Sequence, residues 1–285
     1  MTSTWRTSRF ALPLDTPRVM GIVNVTPDSF SDGGQWASTE AAVRHAEQLV
    51  AQGADILDVG AESTRPGAPP VPLEEELRRL LPVVQALLSW HVPISVDTYK
   101  PEVMRACLDL GVDIVNDVWA LRRVGDNGLT AEDVVASHPS CGLCLMHMHR
   151  EPLSMQAVPM EGDPVPQVAS FLSGQTQRLL QRGVSADRVV WDYGIGFGKT
   201  VEQNFALLAR QHELLAQGFP LLAGWSRKSS LGRVTGQEVA SERVASSVAA
   251  AVLAVDRGAR IVRVHDVAQT VDALKVWQAM SRETT

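Results

Sequence analysis

Three segments of the chain repeat one phrase: a glycine, then a short apolar run, then polar residues. They are Gln52-Gly-Ala-Asp-Ile-Leu-Asp-Val-Gly60, Leu110-Gly-Val-Asp-Ile-Val-Asn-Asp117 and Arg257-Gly-Ala-Arg-Ile-Val-Arg-Val-His265. A glycine just past a helix takes the left-handed backbone cheaply and so marks the helix end. The β-branched run after it suits a strand covered on both faces. Five more runs fit the same slot: Val19–Val25, Pro93–Val96, Leu143–Met146, Arg188–Trp191 and Leu221–Trp225. Helical patterns lie between them at Glu40–Ala51, Leu73–Leu88, Val201–Leu215 and Val239–Val255, with a short one near Ala131–Ser137. Strands alternating with helices call for parallel pairing. Eight such units predict a single (β/α)8 TIM barrel, with an open doubly wound sheet as the other arrangement of the same elements.

The 285 residues, 45% of them hydrophobic, supply one large core. No Pro, Gly or Ser-rich linker divides them, so residues 1–17 read as an N-terminal extension and 18–285 as one barrel domain. The proline-rich stretch Arg150–Gln167 reads as an irregular loop before the fifth helix. A net charge of −6 argues against a broad nucleic-acid-binding face. The polar start, broken by Pro13 and Pro17, lacks the apolar core of a signal peptide, and no run is long enough to span a membrane. The expected location is the cytoplasm. Cys141 and Cys144 form a C-x-x-C inside an apolar run, where buried core thiols are the better reading than a metal or redox pair.

Active sites of such barrels gather at the C-terminal ends of the strands. The residues found there are polar in every unit. They run Asn24 onward; Glu62-Ser-Thr64-Arg65-Pro66; Asp97-Thr-Tyr-Lys100; Asn116-Asp117; His147-Met-His149; Asp192 through Lys199; Ser226-Arg-Lys228-Ser229; and Arg263-Val-His265-Asp266. Any one could merely cap the next helix. Eight in register place Asn24, Asp97, Asn116, Asp192, Lys228, Arg263 and His265 around one mouth. Arg65, Arg227, Lys228, Arg263 and His265 form a cationic half suited to phosphate oxygens. Asp97, Asn116 and Asp192 end interior strands, where they suit a flat heterocycle bearing N–H donors. Gly198-Lys-Thr200 is not a P-loop, because Tyr193 stands where that motif needs glycine. The alternate His147 and His149 lack an evident third ligand, which argues against zinc.

Those residues resemble one family along nearly the whole chain, from about Arg18 to Val267. Met20-Gly-Ile-Val-Asn-Val-Thr-Pro-Asp-Ser-Phe-Ser-Asp-Gly-Gly34 and Glu62-Ser-Thr-Arg-Pro-Gly-Ala68 are the most diagnostic segments. Ser95-Val-Asp-Thr98, Leu145-Met-His-Met148, Asp192 with Gly194–Lys199, Ser226-Arg-Lys-Ser229 and Arg263-Val-His-Asp266 add to the match. The chain resembles dihydropteroate synthase. The resemblance implies that Asp97, Asn116, Asp192 and Lys228 hold a pterin ring. It implies that Asn24, Thr64, Arg65, Arg263 and His265 surround its diphosphate, with Mg²⁺ near Asn24. Arg65, Pro66, Phe197 and Ser229 would line a 4-aminobenzoate site. Asp97, Lys228, Arg263 and His265 would carry the chemistry, in which diphosphate leaves the pterin methylene and the arylamine attacks it. The resemblance also implies a homodimer, with later helices such as Val239–Val255 as the candidate contact.

Tyr193, where the family has proline, Ala61, where it has glycine, and His149-Arg150 depart from the pattern. Two other readings share parts of this site. The pterin domain of a methyltetrahydrofolate–corrinoid methyltransferase would not need the phosphate-directed sets at Ser226–Ser229 and Arg263–His265. A non-catalytic pterin-binding paralogue would be favoured by loss of Asp192, Lys228 or Arg263, and all are present.

Overall fold

The computed structural model describes residues 4–25, 34–63, 69–151, 155 and 158–283. Ahead of the barrel, β1 (Thr4–Arg6) and β2 (Ala11–Pro13) form a small antiparallel hairpin. Eight parallel strands follow: β3 (Arg18–Asn24), β4 (Ile56–Gly60), β5 (Ile94–Asp97), β6 (Ile114–Asp117), β7 (Gly142–Met146), β8 (Val189–Asp192), β9 (Leu221–Ala223) and β10 (Ile261–Val264). They close in the order β10-β3-β4-β5-β6-β7-β8-β9. The closure excludes the open sheet: the fold is one (β/α)8 barrel.

The helices around it are α1 (Gly34–Ala51), α2 (Leu73–Leu87), α3 (Pro101–Leu110), α4 (Ala131–Ser137), α5 (Pro164–Gln181), α6 (Val201–Ala209), α7 (Gln211–Leu215), α8 (Ser229–Thr235), α9 (Val244–Asp256) and α10 (Val267–Arg282). The glycines of the repeated phrase do what the sequence asks of them. Gly53, Gly111 and Gly258 have φ of 99°, 104° and 100°, so each ends a helix in the left-handed region and turns the chain into a strand.

Strand residues alternate between two cores. Leu57, Val59, Leu143, Leu145, Val262 and Val264 face the helices in the main hydrophobic cluster. Met20, Ile56, Ile114, Cys144, Val190, Leu222 and Ile261 face inward and fill the barrel floor. Trp5 and Leu14 complete that floor cluster, and the Trp5 indole N–H donates to Arg188 O at 2.9 Å. Residues 4–17 are thus anchored to the barrel floor through Trp5 and Leu14. Cys141, Cys144 and Cys107 are buried free thiols, as the apolar run around the first two led us to expect.

Two helical patterns divide in the structure. Val201–Leu215 breaks at Arg210 (φ −109°, ψ 20°), where the next side chain, fully buried Gln211, donates to Ala254 O at 2.7 Å. Val239–Val255 becomes a 3-10 turn at Ala240–Glu242 followed by α9, and Arg243 between them donates to Arg227 O and Gln237 O.

Candidate active site

On four strands the barrel interior changes character from one inward position to the next. Ile56, Ile114, Val190 and Ile261 belong to the apolar floor. Asp58, Asn116, Asp192 and Arg263 follow on the same strands, and a side-chain period of two puts them on the same inward face. On β5 both inward positions, Ser95 and Asp97, are polar. This polar layer opens onto a cavity of about 340 Å³ at the C-terminal end of the barrel. Asn24, Phe197, Lys228, Ser229 and His265 line that cavity together with Asp97, Asn116, Asp192 and Arg263.

Arg263 ties the layer together. Its Nε donates to Asp58 Oδ2 and its Nη2 to Asp97 Oδ2, each at 2.6 Å. Asn116 Nδ2 donates to the same Asp58 oxygen at 3.1 Å. Asp97 Oδ1 is buried with no hydrogen-bond partner among the described residues. Such an acceptor is costly to bury alone, and a ligand N–H would satisfy it. Burial pushes the Asp97 carboxyl up to about 7, while the Arg263 charge pulls it back down. Burial likewise raises Asp192, opposed by the Gly194 N–H and by the Lys228 and Arg263 charges.

The loop after β8 is wound around one ammonium. Lys199 Nζ donates to His147 O (3.2 Å), Gly194 O (2.8 Å) and Phe197 O (3.2 Å). Burial lowers its pKa to about 7 against the favourable charge of Asp192. Gly194 (φ 67°) donates its N–H to Asp192 Oδ1 at 2.7 Å. A Cβ on it would lie 1.9 Å from His147 O, so only glycine fits. The loop presents the Phe197 ring to the mouth, where Lys228 Nζ sits 4.4 Å from its centroid.

The cations of the rim are not equivalent. Ser226 Oγ accepts the His265 backbone N–H and meets its Nδ1. Arg227, expected to face an anion, forms a two-pronged pair with Asp266 through Nη2 (2.6 Å) and Nε (3.1 Å). Its role is to brace the loop, since its guanidinium is already matched. Arg263, expected beside the diphosphate, is held by the two aspartates of the layer through Nε and Nη2, while its Nη1 makes no hydrogen bond among the described residues. Thr64, Arg65 and Pro66 lie outside the described residues. The other candidates, Asn24, Asp97, Asn116, Asp192, Phe197, Lys228, Ser229, Arg263 and His265, all reach the one cavity.

Tyr193 points the other way. It is fully buried in the helix-facing core, where its hydroxyl meets Gln211 Oε1 and the Trp225 Nε1–H, each at 3.2 Å. Tyr193 thus packs behind β8 and takes no part in the cavity wall.

A family model for pterin binding enzymes matches residues 20–265. The dihydropteroate synthase of Neisseria meningitidis serogroup B is 49% identical over 281 residues, covering 97% of each protein. The chain belongs to the dihydropteroate synthase family. Among dihydropteroate synthases of known structure, that of Burkholderia cenocepacia in complex with 7,8-dihydropteroate matches with a TM-score of 0.89 and 49% identity, over 99% of this chain and 98% of that one. The Xanthomonas albilineans dihydropteroate synthase with 4-aminobenzoic acid also gives 0.89 at 49% identity, over 98% of each chain.

Within this dihydropteroate synthase fold, two groups escaped the reading of strand ends. Asp58 sits inside the repeated phrase, two residues before the strand stops. Its signal is a lone charge in an apolar run. The second is Glu76 on α2: it joins strand-end residues at the root of the loop after β4, where Lys100 Nζ bridges Glu62 and buried Glu76 and the Tyr99 hydroxyl donates to Glu62 at 2.8 Å. Glu62 lines the cavity.

Proposed function

We propose that this transferase joins 6-hydroxymethyl-7,8-dihydropterin diphosphate to 4-aminobenzoate, giving 7,8-dihydropteroate and diphosphate. The observation that carries this reading is the acceptor-rich layer of Asp97, Asn116 and Asp192 set against Arg263, Lys228 and His265 in one cavity. The first set complements the amino and N–H edge of a pterin. The second complements the departing diphosphate.

The C–O bond between the pterin methylene and diphosphate breaks as charge builds on the diphosphate oxygens. His265 and the Nη1 edge of Arg263 stabilise that charge. Anionic Asp97 stabilises the positive charge left on the pterin. The arylamine nitrogen then forms the new C–N bond and sheds a proton. Lys228 stands between the two halves, against Phe197 on one side and near the Asp192 charge on the other. Phe197 and Ser229, with Arg65 and Pro66 of the loop after β4, would receive the aminobenzoate; Thr64 of that loop would join the diphosphate set. No protein nucleophile is needed.

Mg²⁺ belongs to the same proposal. No group of three or more His, Cys, Asp or Glu among the described residues could hold a metal ion. Asn24 offers an amide oxygen at the cavity edge. That donor set fits a hard cation bound chiefly by substrate phosphates and water, with one contact from the protein. The ion would supply charge neutralisation at the diphosphate. The homodimer is supported by apolar exposure on the later helices: Leu253 of α9 and Val276 and Met280 of α10 are 45%, 73% and 54% exposed. No helix of the described residues is long and apolar enough to cross a membrane, and we place the enzyme in the cytoplasm.

The intact Asp192, Lys228 and Arg263 support catalysis over a paralogue that only binds pterin. Incubation with both substrates and Mg²⁺ should yield dihydropteroate and diphosphate in equal amounts. Retention of bound pterin diphosphate with no product would favour the paralogue.

A further inference from the structure

Asp58 touches neither the cavity nor solvent: it is fully buried beneath the polar layer, and it faces Asn116 and Arg263. Its Oδ2 accepts from both, from Asn116 Nδ2 at 3.1 Å and from Arg263 Nε at 2.6 Å. We propose that Asp58 is a positioning residue of the pterin site, which fixes the end of the Asn116 amide that faces the ligand and the plane of the Arg263 guanidinium.

The reasoning is one of donors and acceptors. A side-chain amide has two ends of nearly the same shape, one donating and one accepting, and can turn over. An oxygen that already accepts from Arg263 can only accept from Asn116. The Nδ2 end is therefore drawn toward Asp58, and the Oδ1 end is turned from it. Asn116 lines the cavity, and the amide end it turns from Asp58 is its carbonyl oxygen, with one Nδ2 hydrogen already spent on Asp58. Together with the unpartnered Asp97 Oδ1 and the Asp192 carboxylate, this makes a run of acceptors complementary to N–H and amino groups. Without Asp58 the amide could present either end, and a ligand nitrogen with a lone pair would become as acceptable as one with a hydrogen.

The guanidinium is held in the same way. Its side-on edge is divided between Asp58 (Nε) and Asp97 (Nη2), which sets the guanidinium plane across the barrel mouth. Loss of the Asp58 contact would leave Arg263 hinged on Asp97 alone, no longer fixed in its aim. Asp58 thus acts on both halves of the pterin substrate through residues that touch it, while touching none of it.

This inference rests on the proposed reading of the mouth as a dihydropterin diphosphate site, and the test separates the two. Binding of the pterin diphosphate, without aminobenzoate, would be measured by calorimetry for the wild type, Asp58→Asn, Asn116→Ala and the double variant. Asp58→Asn is isosteric and removes the obligatory acceptor together with the negative charge that faces Arg263. It is expected to weaken binding about tenfold or more, and to raise KM for the pterin while leaving KM for 4-aminobenzoate within about twofold. In the Asn116→Ala background the Asp58→Asn penalty should shrink at least about threefold, because one of its two routes is gone. A purely structural aspartate would instead lower both affinities and melting temperature together, with additive penalties, and that result would overturn the proposal. Failure of the wild type to bind the pterin diphosphate would strike the functional reading itself. Should Asp58→Asn not fold, a crystal structure of the wild type with the pterin diphosphate decides: Asn116 Nδ2 still on Asp58 supports the proposal, and Asn116 turned to give Nδ2 to the ring overturns it.

Discussion

Ser226 Oγ accepts the backbone N–H of His265 at 3.1 Å and lies 3.0 Å from Nδ1 of the same imidazole. With the backbone N–H already filling an acceptor position, the hydroxyl proton is available to Nδ1. When the hydroxyl donates, the ring proton sits on Nε2, where it can donate to an anion. Ser226→Ala should therefore leave the fold intact and lower kcat/KM for the pterin diphosphate by about tenfold, the worth of about one such hydrogen bond. Nitrogen-15 shifts of His265 would report a single tautomer in the wild type and a mixture in the variant.

Gly194 is bound on both sides by backbone, with φ of 67° and His147 O directly beside it. Gly194→Ala should cost at least about 2 kcal/mol of stability and displace the Asp192 carboxylate that its N–H holds. Denaturant unfolding checks the first effect, and affinity for the pterin diphosphate checks the second.

The Asp97 carboxyl, raised by burial to about 7 from an ordinary 3.8, gives activity and stability opposite pH trends. A raised folded-state pKa means that the fold favours the protonated form. Its stabilising contribution is complete below about 4 and is lost as pH rises through 7. The anion that the chemistry requires is populated only above that value. Between pH 6 and 8, kcat/KM should rise, close to tenfold per unit at the acid end. Over that range the melting temperature of the wild type should fall relative to that of Asp97→Asn.

Trp5 lies under the floor, far from the mouth, with its indole fully buried. Trp5→Ala should cost about 3–5 kcal/mol of stability. At temperatures where the variant is folded, kcat should stay within about twofold of wild type. A large loss of kcat in the folded variant would show that the floor shapes the mouth.

Much of the fold was legible because its grammar is local. A glycine must end each helix of the repeated phrase, and Gly53, Gly111 and Gly258 do so with the same backbone angle. The inward step from Ile56 to Asp58, or from Val190 to Asp192, follows from the two-residue period of a strand. What escaped depended on distant partners. The helical pattern of Val201–Leu215 is continuous, and its break at Arg210 accompanies the reach of Gln211 to Ala254 on another helix. In Ser226-Arg-Lys-Ser229 the two cations read alike. Only Asp266, brought over by β10, shows that Arg227 is already matched. Trp5 and Leu14 gave no periodic signal, because a plug beneath a barrel needs two apolar side chains and no regular element. The placement of Tyr193 was set by Trp225 and Gln211, neither of them near it in sequence.

The decisive measurement is turnover of 6-hydroxymethyl-7,8-dihydropterin diphosphate and 4-aminobenzoate with Mg²⁺, by the wild type beside Asp192→Ala and Lys228→Ala. Dihydropteroate and diphosphate should form in the wild type, with kcat/KM for the pterin substrate falling at least about a hundredfold in each variant as charged, desolvated contacts are lost. Wild-type binding without turnover, or turnover that survives both substitutions, would contradict the assignment of this cavity as the site of the reaction.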